Sequence, residues 1–385
     1  MSGNGGGLTG EQQIAEALQD AVSRGVAPAM GLLVGRGSEV LLTETAGLIE
    51  NSGKTSPASA DTVFDLSSLT KPLATSACAL VLVSEGQMPL GLPVAEVLPE
   101  LCAADADERR RQITVRMLLS HCSGLPAHVR YFEGLDSGLV GTRRGYRSVV
   151  DAVAATPLES DPGTRAVYSD LGFILLGELI ERIAGMPLER FFTRQILSPL
   201  GVDSVGFRRL PEEPDDDAQA SAAGNVAPCG SCEWRDTQSL VGEVQDENCW
   251  AMGGVSGHAG LFGDLRGVHE LVAEWVAAAA GRGRVLSSDI AREFWARSGG
   301  PDGSTWALGW DTPSDVGSTA GTQIGRPAFG HLGYTGTSVW VDLERGVHCV
   351  LLSNRVHPDR DNQAIREFRP AIHDLVFGRL CTSIS

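Results

Sequence analysis

Lysine is nearly missing from this chain. Of its 31 basic side chains only Lys54 and Lys71 are lysines, and arginine supplies the other 29. Basic charge as a whole is also short. With 31 basic against 48 acidic groups the net charge is −17, which argues against nucleic acid or an anionic membrane as a partner. The most apolar stretches, near 73–83 and 173–180, fall short of the about 20 residues that cross a bilayer. Met1-Ser-Gly-Asn-Gly-Gly-Gly carries neither the basic nor the apolar region of a signal peptide, so a cytoplasmic protein with reduced thiols is expected. Several motifs are absent as well. No glycine-rich stretch ends in the Gly-Lys-Ser/Thr of a phosphate loop, and no GxGxxG opens a helix after a strand. His269-Glu270 lacks the second histidine of HExxH. Ser256 has Gly254 before it but His258 behind it, so there is no GxSxG elbow. Cys229-Gly-Ser-Cys232 with Cys249 would give at most three zinc ligands. No second pair completes the set, so loop thiols are expected, with no metal and no cofactor.

What is present describes a globular protein. Its 385 residues, 42% hydrophobic and 21% charged, are enough for one large domain or two interleaved ones. Ile14, Leu18, Ala21 and Val22 fall on one stripe and predict a helix over 11–24. Strands are expected at 30–35 and 39–46, then a helix from Ser68 to about Ser84, stopped by Gly86. Helical patterns dominate the middle, over about 114–121, 147–155, 169–184, 187–197, 264–280 and 287–297. Val339, Val341 and Leu343 alternate, as do Val347, Cys349 and Leu351, and Glu344-Arg345-Gly346 between them closes an antiparallel hairpin. A last helix runs through Ile365, Phe368, Ile372 and Val376, with a kink or restart expected at Pro370. The predicted class is α/β in the α+β sense. An antiparallel sheet is built from both chain ends (1–75 and 305–385) and flanked by the terminal helices, with a mainly helical domain inserted at 76–304. Residues 211–248 are expected to form a long polar loop.

The chemistry is carried by Ser68-Leu69-Thr70-Lys71, which follows the strand-like Thr62-Val-Phe-Asp-Leu66. Residues three apart share a helix face, so the hydroxyl and the amine can meet. A helix N-terminus favours the negative charge of an attacking alkoxide, and Pro72 is tolerated only in a first turn. Arginine cannot give up its proton, so a lysine here, in so arginine-rich a chain, points to an amine acting as a base. Tyr168-Ser169-Asp170 opens a buried helix. Its phenol can relay a proton, and Asp170 can hold Lys71. His331-Leu332-Gly333-Tyr334 begins the C-terminal hairpin, where a strand can offer a backbone N–H to an oxyanion.

In this order and spacing the three segments resemble the penicillin-recognising serine hydrolases. That superfamily includes class C β-lactamases, related carboxylesterases and DD-peptidases, with motifs SxxK, Tyr-x-Asn and Lys/His-x-Gly. Ile113 to Pro126, Pro162-Gly-Thr and Leu171 to Gly177 extend the likeness over nearly the whole chain. The resemblance implies a β-lactamase/DD-peptidase-like fold and an acyl-enzyme on Ser68. It implies that Lys71 and Tyr168 share general-base work and that the Ser68 and Tyr334 amides form the oxyanion hole. The substrate would be a small ester or amide, or a muropeptide-like compound. Two departures stand out. The family asparagine is Asp170, which accepts but cannot donate, and the family lysine is His331, expected to be neutral at pH 7. Both weaken a β-lactamase or DD-peptidase reading, because those substrates carry a carboxylate. Arg355 could replace the missing cation or form a surface salt bridge, and His258 could line the cleft or brace a tight loop. Gly253 to Phe262 and Ser353 to Pro358 resemble cell-wall recycling amidases of the N-acetylmuramoyl-alanine type. A non-catalytic binding or self-assembling module on the same fold is the contrasting alternative. The oligomeric state is open.

Overall fold

The computed structural model describes residues 8–51, 53–103, 107–210, 224–297 and 300–380. The Met1–Gly7 segment, the acidic start of the polar loop (211–223) and Cys381 lie outside the described residues. The strands are β1 (Ala29–Arg36), β2 (Glu39–Asn51), β3 (Lys54–Pro57), β4 (Phe64–Asp65), β5 (Val205–Phe207), β6 (Leu261–Gly263), β7 (Ala328–Leu332), β8 (Ser338–Asp342) and β9 (Val347–Ser353). The main helices are α1 (Gly10–Ser23), α2 (Ala77–Ser84), α3 (Val115–Leu119), α4 (Arg143–Ala155), α5 (Asp170–Ala184), α6 (Leu188–Phe192), α7 (Leu265–Ala279), α8 (Ser288–Trp295) and α9 (Ile365–Leu375).

Six strands form one antiparallel sheet in the order β3-β2-β1-β9-β8-β7. The two chain ends meet at its centre, where Met30 lies opposite Ser353, Leu32 opposite Leu351 and Val34 opposite Cys349. Alternation along these strands sends successive side chains to opposite faces. Leu32, Val34, Trp340, Cys349 and Leu351 pack with Ile14 and Leu18 of α1 and with Phe368 and Ile372 of α9. Leu33, Val339, Val341 and Val350 join the larger core formed with α2, α5 and α7. The α+β architecture is the expected one, with β2 running on to Asn51 and edge strands β3 and β7 added. A second, three-stranded sheet, β4-β6-β5, ties the segment before Ser68 to the middle of the chain.

Two expectations for helices are corrected. The regular α-helix begins only at Ala77. Before it, Ser67–Leu69 is a 3₁₀ turn and Lys71–Ser76 a wide π-type turn. Pro72 has no N–H to contribute to a tight first turn, which accounts for the widening. Conversely, the helix does not restart at Pro370, which sits inside an unbroken α9 whose buried Ile365, Phe368 and Ile372 hold it to the sheet. The described part of the polar loop is also less exposed than expected, since Val226, Cys229, Cys232, Leu240, Val244 and Gln245 are buried. Cys229 and Cys232 pack with Leu240 and Val356, whereas Cys249 packs with Val244, Ala259 and Phe262. Cys78, Cys102, Cys122, Cys229, Cys232 and Cys249 form no disulfide, and among the described residues no group of three or more His, Cys, Asp and Glu side chains could hold a metal. No helix among them is long and apolar enough to cross a membrane.

Candidate active site

Ser68 is half-buried and Lys71 wholly buried. The Lys71 Nζ donates to Ser68 Oγ at 3.2 Å, to Asp170 Oδ1 at 2.7 Å and to the His258 carbonyl at 3.1 Å. An ammonium has three donors and each has an acceptor. The Ser67–Ser68 turn is held from below by Asp65 in β4. One oxygen of this buried carboxylate accepts the Ser67 N–H at 2.8 Å and the other the Gln245 N–H at 2.7 Å. Burial pushes the Asp65 pKa up to about 6, against the lowering effect of those two amides. Ser67 itself adopts φ +50°, a left-handed conformation uncommon for a residue with a side chain.

Electrostatics decide the protonation states. Burial pulls the Lys71 pKa down, but the Asp170 carboxylate, and behind it Tyr168, outweigh burial and raise it. Burial pushes Asp170 up, yet Lys71 and the His128 hydrogen bond bring it below the usual carboxylate range. For Tyr168 burial wins over the lowering effect of Lys71, so the phenol is raised further. The resting site therefore holds an ammonium, a carboxylate and a neutral phenol. This differs from the expectation that Lys71 gives up its proton. The geometry offers another reason for lysine, because a flat guanidinium could not point at three separated acceptors from one buried atom.

Tyr168 is positioned by rings: His121 lies 4.7 Å from it, Trp306 stacks at 5.1 Å and His331 lies 5.8 Å away. His121 Nδ1 also accepts the Ser169 N–H at 3.1 Å, fixing the start of α5. His331 Nδ1 donates to the Leu332 carbonyl at 2.8 Å. Burial, aided by the Lys71 charge, lowers its pKa to about 3, so it is a neutral imidazole at pH 7. Gly333, at the end of β7, must be glycine: a Cβ there would lie 2.0 Å from Thr337 Oγ1 and 2.7 Å from the Leu66 carbonyl. That close approach brings Tyr334 to the nucleophile turn. Its N–H, expected to face an oxyanion, donates to Ser67 Oγ at 3.1 Å.

Arg355 lines a cavity that opens on Ser68, but its guanidinium braces a loop. Nε donates to the Tyr334 carbonyl at 2.8 Å, and Nη1 to the carbonyls of Arg360 at 2.9 Å and Asn362 at 2.7 Å. Neither a surface salt bridge nor a free cation describes it. Arg366, which the sequence did not single out, is exposed and lines the cavity. His258 is 1% exposed and does both things expected of it, lining a cavity that includes Ser68 and bracing its loop, with Nδ1 2.8 Å from Ser256 Oγ and Nε2 2.9 Å from Asp246 Oδ1. That loop sits against α5 because residue 257 is glycine, where a Cβ would meet the Phe173 carbonyl at 2.0 Å. His128 adds a contact from its Nδ1 to Asp170 Oδ2 at 3.2 Å.

Two cavities open on Ser68. One, of about 640 Å³, is lined by Tyr168, Trp306, His331, Tyr334 and Arg366 among others. The other, of about 300 Å³, is lined by His128, Asp170, Gln245, Asp246 and Glu247, and it too includes Tyr168 and Tyr334. His128, Gln245, Asp246, Trp306 and Arg366 carry no motif that would have marked them in the sequence.

A serine held next to a buried lysine and facing a tyrosine, between an antiparallel sheet and a helical layer, defines the class of β-lactamase-like serine hydrolases. The Beta-lactamase family profile matches residues 14–372, and the chain belongs to that family. A putative D-alanyl-D-alanine carboxypeptidase of Salmonella agona (strain SL483) is 30% identical over 356 residues, spanning 88% of this chain and 81% of that protein. In three dimensions the chain is similar to unliganded simvastatin synthase from Aspergillus terreus, with a TM-score of 0.73, 18% identity and coverage of 97% and 99%. It is also similar to EstCE1, a hydrolase with promiscuous acyltransferase activity, with a TM-score of 0.70, 22% identity and coverage of 93% and 98%.

Proposed function

We propose that the protein hydrolyses a small ester or amide through an acyl-enzyme on Ser68. The observation that carries this reading is a half-buried Ser68 Oγ, open to a cavity and 3.2 Å from a lysine that two other acceptors hold in place. As Oγ attacks the substrate carbonyl, its proton passes to the Tyr168 oxygen, and Tyr168 gives its own proton to the leaving group. The Lys71 ammonium keeps its charge beside both oxygens. Water then attacks the acyl carbon and the relay runs in reverse, returning a proton to Oγ. The developing oxyanion would be received by the Ser68 and Tyr334 N–H groups once the substrate oxygen displaces the Ser67 hydroxyl. A fluorophosphonate probe is expected to label the native protein on Ser68, as read by peptide mass spectrometry. Failure to label Ser68 would remove the nucleophile and favour a binding module.

Among esters and amides, those ending in a carboxylate are the better fit. Support comes from Arg366 at the cavity and from relatives named as putative D-alanyl-D-alanine carboxypeptidases. Neutral His331 cannot fill that role. Arg366→Ala is expected to lower kcat/KM for an N-acyl-D-alanyl-D-alanine relative to p-nitrophenyl butyrate by about five- to tenfold, the size of a partly screened charged contact. An unchanged ratio would take Arg366 out of substrate recognition.

A further inference from the structure

Two serines stand side by side at the nucleophile turn, and their hydroxyls have different partners. Ser68 Oγ receives the Lys71 ammonium at 3.2 Å, whereas Ser67 Oγ accepts the Tyr334 N–H at 3.1 Å. The backbone of Ser67 is pinned from both sides. Its N–H donates to Asp65 Oδ1 at 2.8 Å, and its carbonyl accepts from Thr70 Oγ1 at 2.6 Å. These bonds hold it at φ +50°, a conformation disfavoured for a residue with a Cβ. The segment that carries Tyr334 is stitched to the same turn. Thr335 Oγ1 donates to the Asp65 carbonyl at 2.8 Å, and Thr337 Oγ1 to the Leu66 carbonyl at 3.2 Å. With both backbones fixed, the soft coordinate at this contact is rotation of the Ser67 side chain about χ1.

We infer that Ser67 is a positioning residue that keeps the oxyanion hole closed in the resting site. Its hydroxyl holds the Tyr334 N–H that a reacting carbonyl oxygen needs, and it has to rotate away before the oxyanion forms. The inference rests on the hydrolase reading above and adds a built-in brake to it. Both serines line the 300 Å³ cavity, where a released hydroxyl can turn to water. A hydroxyl tethered to the backbone has little orientational freedom left to lose, so it holds the N–H more firmly than a mobile water does. Breaking one hydrogen bond of ordinary net strength slows the reaction about fivefold.

Ser67→Ala removes the hydroxyl and leaves the Ser68 and Tyr334 N–H groups in place. It is expected to raise two rates about fivefold: labelling of Ser68 by a fluorophosphonate, whose phosphoryl oxygen takes the oxyanion position, and kcat/KM for p-nitrophenyl butyrate. A residue that only held the turn together would give a loss on removal, not a gain. Ser67→Gly suits φ +50° and should show the same gain should the Ala variant be poorly folded. A gain below about twofold in both variants overturns the inference. So does a loss, which would mean that the Ser67 hydroxyl donates to the oxyanion instead of blocking its place. Hydrogen exchange of the Tyr334 amide, followed by NMR, needs no turnover. Exchange at least fivefold faster in the variants supports Ser67 as the occupant even if no form is labelled, a result that would instead sink the hydrolase reading. Unchanged exchange overturns the inference whatever the rates.

Discussion

Lys71→Ala is expected to lower kcat/KM toward a p-nitrophenyl ester by about 10³-fold or more, and to lower stability by roughly 3–5 kcal/mol in the same protein. The two losses share a cause. Lys71 has no solvent exposure, and its ammonium is the counter-charge of Asp170 at 2.7 Å, whose own side chain is only 18% exposed. Removing the cation leaves a carboxylate in a site that water barely reaches, which costs far more than an exposed pair would. Adding Asp170→Asn to Lys71→Ala should therefore recover most of the stability, measured by urea unfolding, and none of the activity. Lys71→Arg keeps the charge but has to fit a planar group among Ser68 Oγ, Asp170 Oδ1 and the His258 carbonyl. It is expected to lose about 100-fold in kcat/KM. Near-wild-type turnover in Lys71→Arg would show that positive charge alone suffices, against the three-acceptor geometry.

Acid is expected to weaken the fold well before the ordinary carboxylates titrate. His331 and His348 have pKa values lowered to about 3 and His373 to about 4, and His121 lies well below its usual value, in every case with burial as the largest cause. Their fixed roles are visible. His373 Nδ1 donates to the Thr319 carbonyl at 2.8 Å, and His348 Nε2 lies 2.8 Å from His269 Nδ1. A histidine with a depressed folded pKa contributes its full stability above the unfolded value near 6.5 and loses it as pH falls toward the folded one. Near pH 5 the unfolded chain therefore binds about three more protons at His331, His348 and His373, with His121 acting in the same direction. Asp65 and Asp311 act the other way. Burial raises both to about 6, so the folded state binds two protons there that the unfolded state does not. The net difference of at least one proton gives a slope of about 1.4 kcal/mol per pH unit or more between roughly pH 6 and pH 4. Against a typical total of about 5–15 kcal/mol, that is a substantial loss of stability by pH 4. Urea midpoints at pH 7.5 and pH 5 should differ markedly, and His373→Gln should flatten the slope by about 1.4 kcal/mol per pH unit. Equal midpoints at the two pH values would contradict the buried-neutral assignment.

Much of the site was legible because its signals are local. Ser68 and Lys71 are three residues apart, and that spacing brings them together in a 3₁₀-to-π turn as readily as in the α-helix that was expected. Tyr168 and Asp170 announce themselves at a helix start, and Gly333 before Tyr334 marks a close backbone approach. Alternation was enough to predict β8 and β9, since period two needs only a sheet with apolar layers on both faces. The wide turn at Lys71–Ser76 was missed because apolar periodicity does not report which backbone N–H is lacking. Gln245 and Arg366 escaped notice, and His128 drew only a helix-end or loop role, for a simpler reason. Each reaches the site from a segment with its own local pattern, 42 residues from its partner in the case of His128 and Asp170, and nothing in those patterns says what they face.

By itself the sequence determined which residue types were available and which near neighbours could meet: a serine and a lysine at one turn, in a chain with only one other lysine. The tertiary structure decided their state. Whether Lys71 keeps its proton depends on Asp170, 99 residues away, and whether the Tyr334 amide is free depends on Ser67, 267 residues away. Charge and hydrogen bonding act through space over a few ångströms, and burial sets their strength. Those distances exist only once the two chain ends have closed the sheet around the helices.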